Sequence, residues 1–152
     1  IVRGGGGIVP DLVIRLDSLT EAEREFAKAV GTNLPQYRDV LTSFALEQKS
    51  AKKITSEAFR VTPEMRQQIY TRLKEKGVEL TTEEFGLGGR LIDEQLGYEI
   101  ARYVFGRPAE FRRRAADDLQ VQTALDLLRQ AQSPKELLGL AVAGQRPTAP
   151  RN

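Results

Sequence analysis

The chain has 152 residues, of which 40% are hydrophobic and 29% are charged, and this length and balance suit an ordinary globular or helical domain. Its 23 basic and 21 acidic residues leave a formal charge of +2, too small to argue for nucleic acid or an anionic membrane as a partner. Cysteine and histidine are absent, which excludes disulfides, thiol nucleophiles and the commonest general base, so we expect no metal and no cofactor.

The first predicted element follows four consecutive glycines at residues 4–7. A glycine run lets the backbone take positive φ values and approach another segment closely, which a free N-terminus does not need. Pro10 and the β-branched residues around it predict a strand over residues 8–16, apolar on both faces as in a sheet that is covered on both sides. We therefore expect the chain to be a fragment that begins inside a larger domain, with the other strands of its sheet upstream.

Two nucleotide-binding interpretations of the glycine run fail. A phosphate-binding loop needs Gly-Lys-Ser/Thr before a helix, and a dinucleotide fingerprint needs a helix directly after the glycines. The remaining alternative is a flexible linker, which glycine alone would support.

Helix signals fill the rest of the chain. Thr20 and Glu23 predict a capping box, and Gly31 is placed to end that helix. Pro35 fits the first turn of a second helix, whose polar end over residues 47–53 we expect to fray. One face of this helix carries apolar side chains at helical spacing: Tyr37, Val40, Leu41, Phe44 and Ala45.

Further helix starts are predicted at Thr62-Pro63, at Thr81 with Glu84, at Pro108 and at Ser133. Gly77 is placed to close the third helix, whereas Gly86, Gly88 and Gly89 weaken the fourth. Three apolar stripes should pack into one core: Met65/Ile69/Leu73, Ile92/Leu96/Ile100 and Val121/Leu125/Leu128. The expected fold is mainly α, a small bundle of five to six short helices preceded by one β-strand.

Serine chemistry has five candidates, and we expect none of them to be catalytic. We expect Ser18 and Ser133 to cap helices, Ser43 and Ser50 to lie within a helix, and Ser56 to lie in a charged connection. The acidic pairs Glu83-Glu84, Asp93-Glu94 and Asp117-Asp118 fit helix capping or helix surfaces better than acid–base catalysis. The basic run Arg112-Arg113-Arg114 is expected to be a solvated helix face or a salt-bridged contact with a missing domain.

Two segments resemble a known family. The residues Gly4, Gly5, Gly6 and Gly7, followed by Ile8, Val9, Pro10, Asp11, Leu12 and Val13, resemble the Gly-Gly-Gly-Ile-x-Pro-Asp-hydrophobic stretch of the carboxyl-terminal processing peptidases, or tail-specific proteases. Residues 118–128 are similar to the Asp-x-Gln-x-x-x-Ala-Leu-x-x-Leu helix that ends some bacterial members.

The resemblance implies a parent serine endopeptidase with a Ser–Lys dyad and a PDZ domain upstream, exported to the periplasm or cell envelope. In this family a Ser-Ala-Ser-type motif marks the nucleophile, and none of the five serines here has such surroundings. Residues 1–17 would then end the catalytic core, residues 18–142 would form a helical domain, and residues 143–152 would be a disordered tail. The implied partners are the upstream domains of the same chain, a peptide substrate held by those domains, and a second copy. We expect no catalytic residue, no nucleic-acid partner and no membrane span within this chain.

The helical part would serve packing, self-association or regulation of access to the active site. The alternative is a stand-alone helical module for protein interaction, with residues 1–16 as a disordered arm.

Overall fold

The structure, a computed structural model, describes residues 19–144, with side chains described as far as residue 141. The glycine run, the predicted strand over residues 8–16 and residues 145–152 lie outside the described residues. By its contacts the chain divides into two units. The main unit is Ser18–Ala115, and the terminal unit combines Ile1–Asp17 with Ala116–Asn152, of which residues 116–144 are described. The predicted helical domain of residues 18–142 spans parts of both units.

The described residues are mainly helical, as the sequence predicts, but they form eight α-helices instead of five or six. A 3₁₀ turn at Gly31–Asn33 separates the first two helices, and a π-helical turn at Ala101–Phe105 continues the fifth. The helices are α1 Glu21–Val30, α2 Leu34–Ser50, α3 Pro63–Glu75, α4 Thr82–Leu87, α5 Gly89–Ile100, α6 Arg107–Asp117, α7 Leu119–Gln130 and α8 Pro134–Gly144.

The predicted helix starts are confirmed where a cap depends on nearby residues. In α1 the Glu23 amide donates to the Thr20 hydroxyl at 3.2 Å, and the Glu23 carboxylate accepts from the Thr20 amide at 2.8 Å. Thr81 and Glu84 form the same reciprocal box at the start of α4. Each box satisfies N–H groups that have no partner within the helix.

Two glycines end helices as predicted. Gly31 follows α1 with φ of 43°, and Gly77 follows α3 with φ of 77°, a region that side chains with a Cβ rarely enter. Beyond Gly77 the Val78 amide donates to the Leu73 carbonyl at 3.0 Å, and the Val78 side chain is buried. This is a Schellman ending with its hydrophobic contact.

The core of the main unit lies where α2, α3 and α5 pack against one another, and α1 packs against α4. Two of the three predicted stripes contribute to it, since Ile69, Leu73, Ile92, Leu96 and Ile100 are all fully buried. The apolar face of α2 is buried as predicted: Tyr37, Val40, Leu41, Phe44 and Ala45.

The third predicted stripe is not part of this core. Val121, Leu125 and Leu128 on α7 are 37%, 39% and 57% exposed, and α7 has no buried residue. Within its own unit α7 packs against α8. Helical periodicity shows that one face is apolar, but it does not say whether another element covers that face.

The last turn of α2 is intact, so the predicted fraying is wrong for residues 47–50, whereas residues 51–53 lie beyond the helix as its loss there would require. The helix continues to Ser50, and the neighbouring α3 holds its last turn. Glu47 pairs with Arg72 of α3 at 2.5 Å, and Gln48 is buried. A polar sequence therefore belongs here to a helix end that packs against another helix.

Candidate functional site

A groove of about 460 Å³ runs along the main unit between α2 and α5, and we call it the α2–α5 groove. One wall comes from the start and middle of α2, and the other comes from α5 and the π-helical turn. Because π-helical turns insert an extra residue into a helix and often mark functional sites, this turn adds weight to the groove as a candidate. The lining residues are Leu34, Arg38, Leu41, Thr42, Glu94, Gln95, Tyr98, Glu99, Arg102, Tyr103 and Arg114.

Polar contacts order the walls of the groove. The Thr42 hydroxyl donates to the Glu99 carboxylate at 3.0 Å, which joins α2 to α5. The Arg102 guanidinium lies 5.5 Å from the centre of the Tyr103 ring, and the Arg114 guanidinium lies 4.2 Å from the Tyr98 ring. These contacts place cations over aromatic faces, which attract them electrostatically.

A second recess, of about 350 Å³, shares Arg102 and Arg114 with the groove and is otherwise lined by Arg107, Glu110 and Phe111. We call it the Phe111 recess. The Phe111 side chain is 72% exposed, the largest exposure among the large hydrophobic side chains that the structure describes. The Glu110 carboxylate accepts from Arg114 at 2.9 Å, so this pair neutralises itself.

Most arginines of the main unit are paired with a carboxylate of the same unit. Arg38, Arg60, Arg102 and Arg107 have neither a carboxylate nor a backbone carbonyl as a partner among residues 19–144. Three of these four line the α2–α5 groove or the Phe111 recess, and only Arg60 lies outside both. The paired arginines are Arg24, Arg66, Arg72, Arg90, Arg112 and Arg114.

A third recess, near the junction of α4 and α5, contrasts with the groove because its charges neutralise one another. Arg90 donates to both oxygens of Glu23, at 2.6 and 2.8 Å, and to Glu94 at 2.8 Å. Arg66 pairs with Asp93 at 2.6 Å, and the other oxygen of Asp93 is buried with no hydrogen-bond partner among the described residues. Burial raises the pKa of Asp93 above its usual value, although Arg66 opposes this shift.

Glu23 has the clearest electrostatic role in the structure. Hydrogen bonds from the Arg90 guanidinium, and then from the Thr20 amide, lower the pKa of Glu23 from 4.5 to about 2. Since Glu23 is also the N3 residue of the capping box, one carboxylate joins the start of α1 to α5. This arrangement is structural, because both carboxylate oxygens are already occupied.

The acid sensitivity of the fold should depend on Glu23. A carboxylate whose pKa is lowered by folding stabilises the folded state fully above its unfolded value, and the stabilisation is lost as the pH falls towards the folded value. Glu23→Gln should therefore lower the denaturation midpoint at neutral pH, and its difference from the wild type should shrink between about pH 4.5 and pH 2.

The measurement is a series of urea denaturation curves across that pH range. Glu25→Gln is the matched control, because Glu25 is exposed on the same helix and its side chain has no hydrogen bond or ion pair among the described residues. A deficit in Glu23→Gln that is the same at every pH would contradict the assignment.

The serines are placed as structural residues. Ser43 is exposed on α2, and Ser18 lies outside the described residues. Among the residues described, no lysine amine hydrogen-bonds a serine hydroxyl, so no dyad is assembled there. Three hydroxyls bond to nearby backbone groups, Ser50 to Leu46, Ser56 to Ala58 and Ser133 to Glu136, at distances from 3.0 to 3.2 Å.

The acidic pairs are separated by their roles. Hydrogen bonding from Thr81 holds the pKa of Glu84 below its usual value at the cap of α4. Asp93 pairs with Arg66, whereas Glu94 pairs with Arg90. The Asp118 carboxylate caps α7 by accepting from the amides of Gln120 and Val121. Capping at Asp118 is confirmed. No group of three or more acidic side chains that could hold a metal ion occurs in the described part of the chain.

The basic run of α6 is solvated, as one of the two expected alternatives has it, since the Arg112 and Arg114 side chains are 60% and 53% exposed, but it also bonds within the main unit. Arg112 bonds both oxygens of Glu57 at 2.8 and 2.9 Å. Arg113 donates to the Phe59 carbonyl at 3.2 Å and lies 4.5 Å from the centre of its ring. These arginines tie α6 to the connection between α2 and α3, and sequence distance hid this because the partners are more than fifty residues apart.

The residues of the family motif, Gly4 to Gly7, Pro10 and Asp11, lie outside the described residues, so their geometry adds nothing to the site. The groove arginines, by contrast, carry no sequence signal that separates them from the paired ones. Between residues 19 and 144, no helix combines the length and the apolar character that a bilayer crossing requires. Comparisons with protein-family models, with curated proteins and with solved structures found no match to this chain.

Proposed function

We propose that the chain is the non-catalytic carboxyl-terminal region of a serine endopeptidase similar to the carboxyl-terminal processing peptidases. The observation that carries this proposal is the sequence of residues 4–13, which resembles the family stretch from its glycines through Pro10 and Asp11. The positions of the serines support a non-catalytic role, because the described ones cap helices, bond to backbone or lie exposed without a lysine partner.

In this proposal the helical residues serve packing, self-association or regulation of access to an active site elsewhere in the parent protein. The partners are the catalytic and PDZ domains of that protein, and its location is the periplasm or cell envelope. The buried core of the main unit supports such a role, since a unit with its own core can be carried beside a catalytic domain.

The same core favours a second candidate, a stand-alone helical module for protein interaction. Sixteen buried residues form one continuous cluster within Ser18–Ala115. A cluster of this kind needs no partner to complete it, so the module could fold and bind without a peptidase domain.

The 152-residue chain should show no turnover of an unfolded protein such as reduced casein, because it contains no credible nucleophile–base pair. A longer product of the same gene, extended upstream, should degrade casein and should lose this activity when its upstream Ser-Ala-Ser serine is replaced by alanine. Release of fluorescent peptides from labelled casein measures both.

Each other outcome contradicts the proposal. Turnover by the 152-residue chain that is lost on replacing one of its own serines would place the active site here. A reading frame with no Ser-Ala-Ser-type motif, and no lysine about 25 residues after it, would leave the interaction module as the better function.

A further inference from the structure

We propose that the α2–α5 groove and the adjoining Phe111 recess form one binding site for a short acidic segment of polypeptide. The site differs from the rest of the main unit in the state of its charges. Arg38, Arg102 and Arg107 line it without a carboxylate partner among the described residues. This proposal goes beyond the proposed function and does not depend on it.

The charge balance of the site favours an anion. Four arginines and three glutamates line the two cavities together. Glu94 shares Arg90 with Glu23, and Glu110 pairs with Arg114. Glu99 is the remaining carboxylate of the lining, and it accepts a hydrogen bond from Thr42. The lining therefore carries an excess of positive charge and three guanidinium groups without a carboxylate partner among the described residues. A planar guanidinium suits a ligand carboxylate because it can donate two parallel hydrogen bonds.

The apolar part of the lining narrows the class of ligand. The exposed Phe111 ring, the Tyr103 ring and the 41% exposed Leu34 lie among the arginines. A ligand that covers this surface needs apolar side chains beside its negative charges, and a peptide of alternating acidic and apolar residues has both. Removing these apolar groups from water adds a favourable contribution that a simple anion cannot supply.

The carboxylates of the lining argue against nucleic acid. Every nucleotide of a bound strand carries a phosphate that Glu94, Glu99 and Glu110 would repel, whereas a peptide can place uncharged residues beside these carboxylates. A peptide backbone, by contrast, brings N–H donors that such carboxylates can accept. The two cavities, about 460 and 350 Å³, fall in the usual range for a small bound segment.

The experiment is a titration followed by fluorescence anisotropy. The probe is a fluorescein-labelled peptide of alternating glutamate and leucine, titrated with the full 152-residue chain at low ionic strength. The comparison probes are the same peptide with glutamine in place of glutamate, and a labelled oligothymidylate of equal charge. We expect saturable binding of the acidic peptide, with both comparison probes binding at least about tenfold more weakly.

Two test variants, each with a matched control, locate the binding. The triple variant Arg38→Ala/Arg102→Ala/Arg107→Ala should weaken peptide binding by about tenfold or more. Arg60→Ala is the matched control, because Arg60 is also unpaired among the described residues but lines neither cavity, and it should leave binding unchanged. Phe111→Ala should weaken binding without lowering the thermal midpoint, because its side chain is 72% exposed. Leu46→Ala, at an exposed site on α2 outside both cavities, should leave binding unchanged.

Several results would overturn the proposal. Absence of peptide binding, equal binding of the glutamine peptide or the oligothymidylate, or an equal loss in Arg60→Ala would each remove its basis. Sedimentation of the chain without any peptide tests whether the chain self-associates. Self-association that disappears in the triple arginine variant would show that a second copy of the chain occupies the site.

Discussion

Gly88→Ala is expected to destabilise the main unit by about 1–3 kcal/mol, although glycine-to-alanine changes next to a helix are usually favourable. A Cβ added at Gly88 would lie 2.4–2.6 Å from three ring carbons of Phe26, far inside van der Waals contact. Phe26 is 2% exposed and meets the Tyr37 and Phe85 rings edge to face, so it has little room to move. The change therefore overpacks the core.

The neighbouring glycines provide matched controls for this prediction. A Cβ at Gly86 or Gly89 would meet nothing within 4 Å, so alanine at either site should be neutral or stabilising by up to about 1 kcal/mol. Denaturation midpoints of the three single variants measure the contrast. Adding Phe26→Leu to Gly88→Ala should recover part of the loss, and two additive costs would show that the ring and the Cβ do not meet.

Gly88 also shows where sequence reasoning stops. From the sequence it is one of three glycines that weaken a helix, and nothing distinguishes it from Gly86 or Gly89. The distinction comes from Phe26, which is 62 residues earlier in the chain and packs against the backbone between α4 and α5. Close approach between distant segments is a tertiary property, so local propensity could not predict it.

Helix starts were predictable because their physics is local. Thr20 and Glu23, or Thr81 and Glu84, complete a capping box within four residues, whatever the rest of the chain does. The same holds for the Gly77 ending, whose hydrogen bonds run to residues three and five positions earlier. The π-helical turn at Ala101–Phe105 was missed, because no residue type specifies it and the apolar stripe continues through it.

The candidate site was not predictable, because it depends on which arginines remain unpaired. Arg90 finds Glu23 across 67 residues, and Arg112 finds Glu57 across 55. Arg112 belongs to the strongest basic run of the sequence, yet in the structure it pairs with Glu57. The isolated Arg38 and Arg102 line the groove without a carboxylate partner among the described residues. Charge patterning along the chain therefore could not separate the paired arginines from the unpaired ones.

Leu96→Ala should cost about 2–5 kcal/mol of unfolding free energy, because the substitution leaves a cavity where α5 packs against α2. Leu96 is fully buried, and its neighbours on the same face, Ile92 and Ile100, are fully buried too. The helix itself tolerates alanine, so the loss measures packing and not helix propensity. Urea denaturation, with the slope checked for constancy, gives the value.

Leu125→Ala is the comparison variant for Leu96→Ala, because Leu125 is the same residue type on an equally regular apolar stripe. Sequence periodicity alone expects the two substitutions to cost the same. The structure leaves Leu125 39% exposed on α7, so its replacement should change the unfolding free energy by less than about 1 kcal/mol. A large cost at Leu125 would mean that the α7 stripe is covered in solution, and an unchanged midpoint at Leu96 would mean that α5 does not pack on α2 as described.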